Sequence, residues 1–283
     1  MRAGQNNLKG ALLLIVASAF FTVEVALVRL AGPRVNEAQI IFCRASAQLL
    51  LVGLYFVWTR RWGELRTNRF GLHLTRGLLS VGSWWLYYLS FRLLDLTLAT
   101  TLTFTTQLFS VAFAGPILGE RVTPPRIVAT IVGFVGIVVA TGAGSAAFDP
   151  MVVIGITSAI AGTAIIFLSR ALTATETTAS ILFYIGLITT IGAAPVLVLA
   201  WIPLDRVGIA LIVTGAVAGL VGMGLMIEAY RVGEVSALAP FPYLRLVFAI
   251  LAGWLVFAEV PGWHTVVGSL IVVAAALAIS RRL

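Results

Sequence analysis

A few ionisable and hydrogen-bonding residues stand inside long apolar runs, and their chemistry is that of holding a solute rather than breaking a bond. Glu24 interrupts a run that includes Phe20, Phe21 and Val25. A carboxylate at such a place either faces a wet interior, where it can take an amine or a proton, or pairs with Arg29 or another arginine near a surface. His73, Arg76, Ser80, Trp84 and Tyr87 recur at spacings of three and four, which puts them on one helical face. Trp84 and Tyr87 suit an aromatic wall for a solute, with an interfacial aromatic belt as the rival reading. His73 and Arg76 read as side chains that snorkel to the nearer surface. Thr100, Thr103, Gln107 and Ser110 form a second stripe, able to bind a solute or to bond across helices. Pro240 and Pro242 precede Tyr243 and Arg245. Each proline removes a backbone donor and loosens the helix start. Arg44 lies at similar depth to Arg245 and reads as a pairing residue, Tyr243 as a cavity residue, and Thr163 as a hydroxyl amid small side chains.

The chain carries no phosphate-binding G-x-x-x-x-G-K-[ST], no H-E-x-x-H and no G-x-S-x-G, so no enzyme signature and no catalytic residue is assigned. Its single cysteine, Cys43, excludes an internal disulfide, and its two histidines, His73 and His264, have no metal-ligand spacing. No cofactor and no metal are expected. A membrane enzyme acting on a lipid-linked substrate is the rival class.

The elements that must position these residues are membrane spans. Hydrophobic residues make up 60% and charged residues 11%, with mean hydropathy +1.05; a soluble domain carries about 25% charged residues. The apolar residues fill stretch after stretch of the length that crosses a bilayer core of roughly 30 Å. Ten spans fit: 8–29, 37–58, 71–93, 97–118, 125–143, 150–170, 177–201, 206–229, 236–257 and 262–280. With ten crossings, Arg60, Arg61, Arg66, Arg69, Arg121 and Arg126 share a side with both termini, whereas Arg29, Arg34, Arg92 and Arg206 face the other. That excess predicts cytoplasmic termini, with Asp149 on the far side, in an inner (plasma) membrane of bacterial type. The net charge of +8 therefore concerns orientation, not nucleic acid.

The stretch Phe91–Glu120 occurs twice. Shifted by 139 positions, Tyr230–Glu259 lies beneath it without a gap: Arg92 meets Arg231, Asp95 meets Glu234, Phe104 meets Tyr243 and Glu120 meets Glu259. The repeat divides the chain into 1–143 and 144–283. Five crossings per half force the second half to enter from the opposite face, giving an all-α membrane protein of two inverted five-helix repeats. Gly215 to Gly219 gives span 8 a G-x-x-x-G spacing for close helix approach, while spans 5 and 10, with Gly133, Gly136 and Gly268, read as a peripheral scaffold.

With Leu118-Gly119-Glu120 and Phe257-Ala258-Glu259 closing the two copies, and Ala229-Tyr230-Arg231-Val232-Gly233-Glu234 leading to Ala239-Pro240, the chain resembles the drug/metabolite transporter superfamily in its EamA-like ten-helix branch, over essentially its whole length. YddG-type amino acid exporters are a plausible neighbour. The resemblance implies a secondary transporter of small metabolites, an amino acid exporter as the leading reading, working by alternating access through a central cavity. An uptake or exchange carrier for another metabolite or a drug-like cation is the alternative. Glu24, Trp84, Tyr87, Thr103, Gln107, Thr163 and Tyr243 are expected to line that cavity, with Glu24 toward its outer mouth. The partners expected are a small-molecule substrate and membrane lipid, with no nucleic acid.

Overall fold

Proline, glycine and capping side chains divide the apolar runs into helices. The computed structural model describes residues 6–32, 35–94, 96–142, 151–199 and 201–281; Asp149, Arg34 and Asp95 fall outside these. The helices are α1 (Asn7–Ala31), α2 (Glu37–Thr59), α3 (Phe70–Leu93), α4 (Leu96–Leu118), α5 (Pro124–Thr141), α6 (Val152–Leu172), α7 (Thr178–Leu199), α8 (Arg206–Val232), α9 (Val235–Leu238), α10 (Arg245–Phe257) and α11 (Trp263–Ser280). Starts are set by side chains that accept orphan backbone N–H groups. Asn6 accepts from the Lys9 amide and Asp205 from the Gly208 amide. Asn36 and Gln39 form a reciprocal capping box at α2.

Among the described residues, nine stretches are long and apolar enough to cross a membrane, Val235–Phe257 counting as one. The protein is a multi-pass membrane protein. The 24-residue α3 is not among the nine. Its polar stripe lowers its hydropathy, yet that stripe turns inward: His73 and Arg76 are each 1% exposed and Ser80 is buried. The expectation that His73 and Arg76 snorkel is therefore corrected. His73 lies 3.7 Å from the Glu176 carboxylate and stacks on Tyr184 at 4.4 Å, and Arg76 Nε donates to Ser169 Oγ at 2.8 Å. Both find partners on α6, α7 and the segment between them.

The stretch read as one span over 236–257 is broken. After the single turn of α9 the chain passes through Ala239 and Pro240 into a 3₁₀ turn at Phe241–Leu244, and only then into α10. The cause is local: Pro240 and Pro242 cannot donate, and each ring crowds the preceding turn. A broken helix at membrane depth must be enclosed by protein or open to a cavity. Here it is enclosed, since Val235 through Ala239, Phe241 and Tyr243 are nearly inaccessible.

Packing pairs α1 with α8, α3 with α6, α2 with α7 and α5 with α11; α4 lies on α6 and α5, α3 on α7, α2 on α8, and α10 with its 3₁₀ turn on α1. Small residues set the closest approaches. A Cβ on Gly136 would stand 2.8 Å from the Gly268 carbonyl oxygen, so α5 and α11 touch backbone to backbone. At one end of the bundle, Arg231 Nη1 donates to the Thr173 carbonyl at 2.8 Å, and the Glu120 carboxylate accepts from the Val235 and Ser236 amides at 2.8 Å each. At the other end, Gln39 Nε2 donates to the Ile202 carbonyl at 2.6 Å and Arg29 pairs with Glu259.

Candidate functional site

Away from both ends, five helices converge on a charged cluster. Glu24 on α1 and Arg44 on α2 form an ion pair, Arg44 Nε to Glu24 Oε1 at 2.5 Å, with side chains only 14% and 10% exposed for the arginine and the glutamate. The Arg44 Nε–H finds no acceptor in hydrogen-bonding geometry, so the pair is a close charge contact rather than a directed hydrogen bond. The Arg44 guanidinium sits over the Trp84 ring of α3 at 4.8 Å from the centroid, a cation–π contact that holds the charge on its second face. Gly219 on α8 makes room for the carboxylate: a Cβ there would come within 2.7 Å of Glu24 Oε2. From α10, Arg245 lies over the Phe21 ring at 5.7 Å, and Phe21 is one turn before Glu24 on α1.

One turn further along α8, Met223 meets Arg76. Arg76 Nη2 approaches Met223 Sδ at 3.8 Å, Nε is bonded to Ser169, and Nη1 has no hydrogen-bond partner. This buried guanidinium has no carboxylate within ion-pairing distance among the described residues, and an unpaired charge at such depth costs stability.

The residues expected to share one cavity fall into separate places. Glu24 and Trp84 are brought together, through Arg44. Thr163 is buried on α6, where its hydroxyl donates to the Thr106 carbonyl at 3.1 Å and the Ala159 carbonyl at 3.0 Å, which ties α6 to α4. Gln107 is buried on α4 with its Oε1 unsatisfied, and Thr103 is half-buried on the same helix. Tyr243 is inaccessible and packs with Ile137 and Val272, its ring against Gly133 and 5.9 Å from Phe104. It does not join Glu24. Tyr87 belongs to α3, but its side chain lies outside the described residues.

Three features of the cluster escaped sequence reasoning. Gly219 was read as a helix-packing glycine; it also houses a carboxylate. Arg245 and Arg76 gave no sign of lacking a counter-ion, because pairing across helices has no signature in spacing. The signal available was the count of charges inside the spans, which left the arginines in excess.

The ends of the bundle are tied differently. Arg126 pairs with Glu234 and donates to Ser236 Oγ at 2.9 Å, beside the Glu120 contacts to the start of α9. Glu259 is exposed, and the Arg29 guanidinium bound to it holds its carboxyl below the usual carboxylate range.

Comparison with known proteins agrees with this architecture. A solved crystal structure 21% identical to the chain superposes with a TM-score of 0.78, covering 96% of this chain and 98% of the other, a likeness of fold. The S-adenosylmethionine uptake transporter of Rickettsia prowazekii is 29% identical over 87% of this chain and 83% of its own length. The pseudopaline exporter of Pseudomonas aeruginosa is 28% identical over 96% of each chain. The riboflavin transporter of Brucella anthropi is 29% identical over 94% of this chain and 95% of its own. The model of the EamA-like transporter family matches residues 8–142 and again 150–281. With nearly its whole length matched, the chain belongs to the EamA-like transporter family of the drug/metabolite transporter superfamily.

Proposed function

We propose that the protein is a ten-span secondary carrier for a small metabolite of amino-acid type, built from two inverted halves, 1–143 and 144–283. The single observation that carries the site is the Glu24–Arg44–Trp84 cluster, where α1, α2, α3, α8 and α10 meet. A charge pair at that depth is costly in a scaffold and useful in a solute path. Counting α3 as the tenth span is supported by its 24 residues, long enough to cross.

Several observations support the inverted repeat. The family model matches twice. The helix pairings keep their pattern when the halves are exchanged: α1–α8 becomes α6–α3, α2–α7 and α5–α11 map onto themselves, and α4–α6 becomes the contact of α10 and its 3₁₀ turn with α1. Phe104 and Tyr243, equivalent in the two copies, touch each other. A residue meets its own equivalent only near the axis relating the halves.

The carrier works by alternating access between those halves. It lies in the inner membrane with both termini cytoplasmic, on the arginine and lysine distribution. Export of amino acids is the specific reading; the relatives' names include both uptake and export, so direction must be measured. The test is counterflow in proteoliposomes loaded and assayed in both directions, using labelled phenylalanine, leucine, S-adenosylmethionine and riboflavin. Counterflow of phenylalanine or leucine with the solute unaltered supports the reading. Riboflavin alone would defeat the amino acid assignment, and no counterflow of any of the four would defeat the carrier reading. Cysteine labelling at Arg66 and Asp149 in a Cys43-free background tests the topology, which requires label from opposite sides.

A further inference from the structure

Within the described membrane-spanning helices the charges in the interior are one carboxylate, Glu24, and three guanidinium groups, Arg44, Arg76 and Arg245; the buried Glu176, in the segment between α6 and α7, is taken up by Thr67 and His73. Arg44 is neutralised by Glu24. Among the described residues Arg245 makes no hydrogen bond and no ion pair; its guanidinium lies over the face of Phe21, one turn along α1 from Glu24, a carboxylate already committed to Arg44. Arg76 is 1% exposed, spends two nitrogens on a hydroxyl and a thioether, and leaves Nη1 bare. Met223 beside Arg76 and Gly219 beside Glu24 are four positions apart on α8, a rise of roughly 6 Å.

From this uncompensated positive charge we infer that the solute presents an oxyanion, a carboxylate by preference, to Arg245 and Arg76, and rests its apolar part against Phe21 and Trp84. The inference rests on the carrier reading above and narrows it to a substrate class. A guanidinium offers a planar fork of donors that matches a carboxylate bidentately. Arg245 is half-buried rather than sealed, so an incoming group can reach it. Glu24 then has the part of a local counter-charge: it keeps the empty site from carrying its full positive charge and repels a second anion. Glu24, Arg44, Arg76 and Arg245 sum to two positive charges, so charge alone admits a carboxylate or a phosphate; the preference for a carboxylate comes from the amino-acid-type solute proposed above, and phenyl phosphate tests it below.

The first experiment needs no knowledge of the natural solute. Purified protein in detergent is titrated with benzoate, its neutral isostere benzamide, and phenyl phosphate, and the melting temperature is followed. Benzoate is expected to raise it saturably, and benzamide is not. In Arg245→Gln the benzoate dissociation constant should rise about tenfold or more, as expected for a lost charge-assisted contact, while Arg206→Gln, an exposed arginine, keeps the wild-type response. Arg76→Gln is measured in the same way, with its ligand-free melting temperature as the check on folding; Arg245→Lys should recover part of the benzoate affinity. A phenyl phosphate response stronger than the benzoate response would reassign the oxyanion from carboxylate to phosphate and overturn the stated preference. Equal responses to benzoate and benzamide, no response to either anion, or an unchanged benzoate constant in both Arg245→Gln and Arg76→Gln overturn the inference. The second experiment separates it from the carrier reading. Counterflow of phenylalanine and S-adenosylmethionine is compared with that of phenylalaninamide and decarboxylated S-adenosylmethionine. Flux of only the free acids supports the inference. Flux of the amide and decarboxylated forms as well leaves the carrier intact and overturns the anion site.

Discussion

Glu120 and Glu259 occupy equivalent places in the two sequence copies, each one residue after a left-handed helix cap, Gly119 at φ 66° and Ala258 at φ 54°. Their backbones are fastened alike: the Glu120 amide donates to the Ala114 carbonyl at 3.3 Å and the Glu259 amide to the equivalent Gly253 carbonyl at 3.0 Å. Their carboxylates part company. Glu120 caps the buried start of α9 through two amides, whereas Glu259 lies in the open on Arg29. The motif therefore specifies a helix ending and the position of a carboxylate. What the carboxylate does depends on which helix start stands opposite. The Glu120 carboxylate joins the two halves through buried amides, whereas the Glu259 carboxylate contributes an exposed ion pair at the end where Gln39 also bonds to Ile202.

The sharpest way to break this comparison is to remove each carboxylate. Glu120→Ala strands the amides of Val235 and Ser236, which are 1% and 0% exposed; two orphaned buried donors cost on the order of 2–4 kcal/mol. Thermal melting of the purified protein should show a clear loss for Glu120→Ala. Glu259→Ala should melt close to wild type, since an exposed pair is largely screened. Similar losses from both would erase the distinction.

Next in size is Gly219→Ala. The added methyl group meets the Glu24 carboxylate, so the Glu24–Arg44 contact must shift, at about 1–3 kcal/mol offset by the better helix propensity of alanine at about 1 kcal/mol. Counterflow should fall far more than the melting temperature does. Parallel losses in both would mean that the cluster is only a packing device.

The two caps differ by one side chain, and that difference is testable at about 1 kcal/mol. Ala258→Gly should stabilise by that order, and Gly119→Ala should destabilise by as much, because a Cβ is disfavoured at positive φ. Ala258 is held in the conformation that glycine fits.

The smallest effect concerns pH. Arg29 lowers the Glu259 pKa in the folded state, so the pair stabilises above the unfolded carboxylate pKa, and that contribution is lost as pH falls through the lowered value. The melting difference between wild type and Glu259→Gln should therefore favour wild type at neutral pH and vanish under acid conditions. A difference that grows on acidification would contradict the assignment.

Much of the helix layout was legible because it depends on local chemistry. Asn36 with Gln39, Asp205, and the Pro124–Pro125 start mark helix beginnings by their own side chains, and α2, α4 and α8 begin within a residue of where the sequence puts them. The loosened ninth span was foreseen from Pro240 and Pro242. Its consequence for Tyr243 was not, because a 3₁₀ turn changes the angular step per residue and so rotates every later side chain relative to the expected face. Tyr243 turns toward Gly133 and Val272, where it is sealed among apolar neighbours. Partner choice was illegible for another reason. Arg29 is five residues from Glu24 and Arg44 is twenty away, yet Glu24 takes Arg44 and Arg29 takes Glu259. Those choices follow from which helices lie side by side, and that information is spread over the whole chain.

The central claim is that the buried Glu24–Arg44–Trp84 cluster is where solute is held. The most direct measurement is counterflow of labelled phenylalanine and S-adenosylmethionine by Glu24→Gln in proteoliposomes, set against wild type at equal protein content and alongside melting curves. The account predicts that wild type exchanges at least one of them and that Glu24→Gln loses most of that exchange while still unfolding cooperatively. Unaltered exchange by the variant would contradict it.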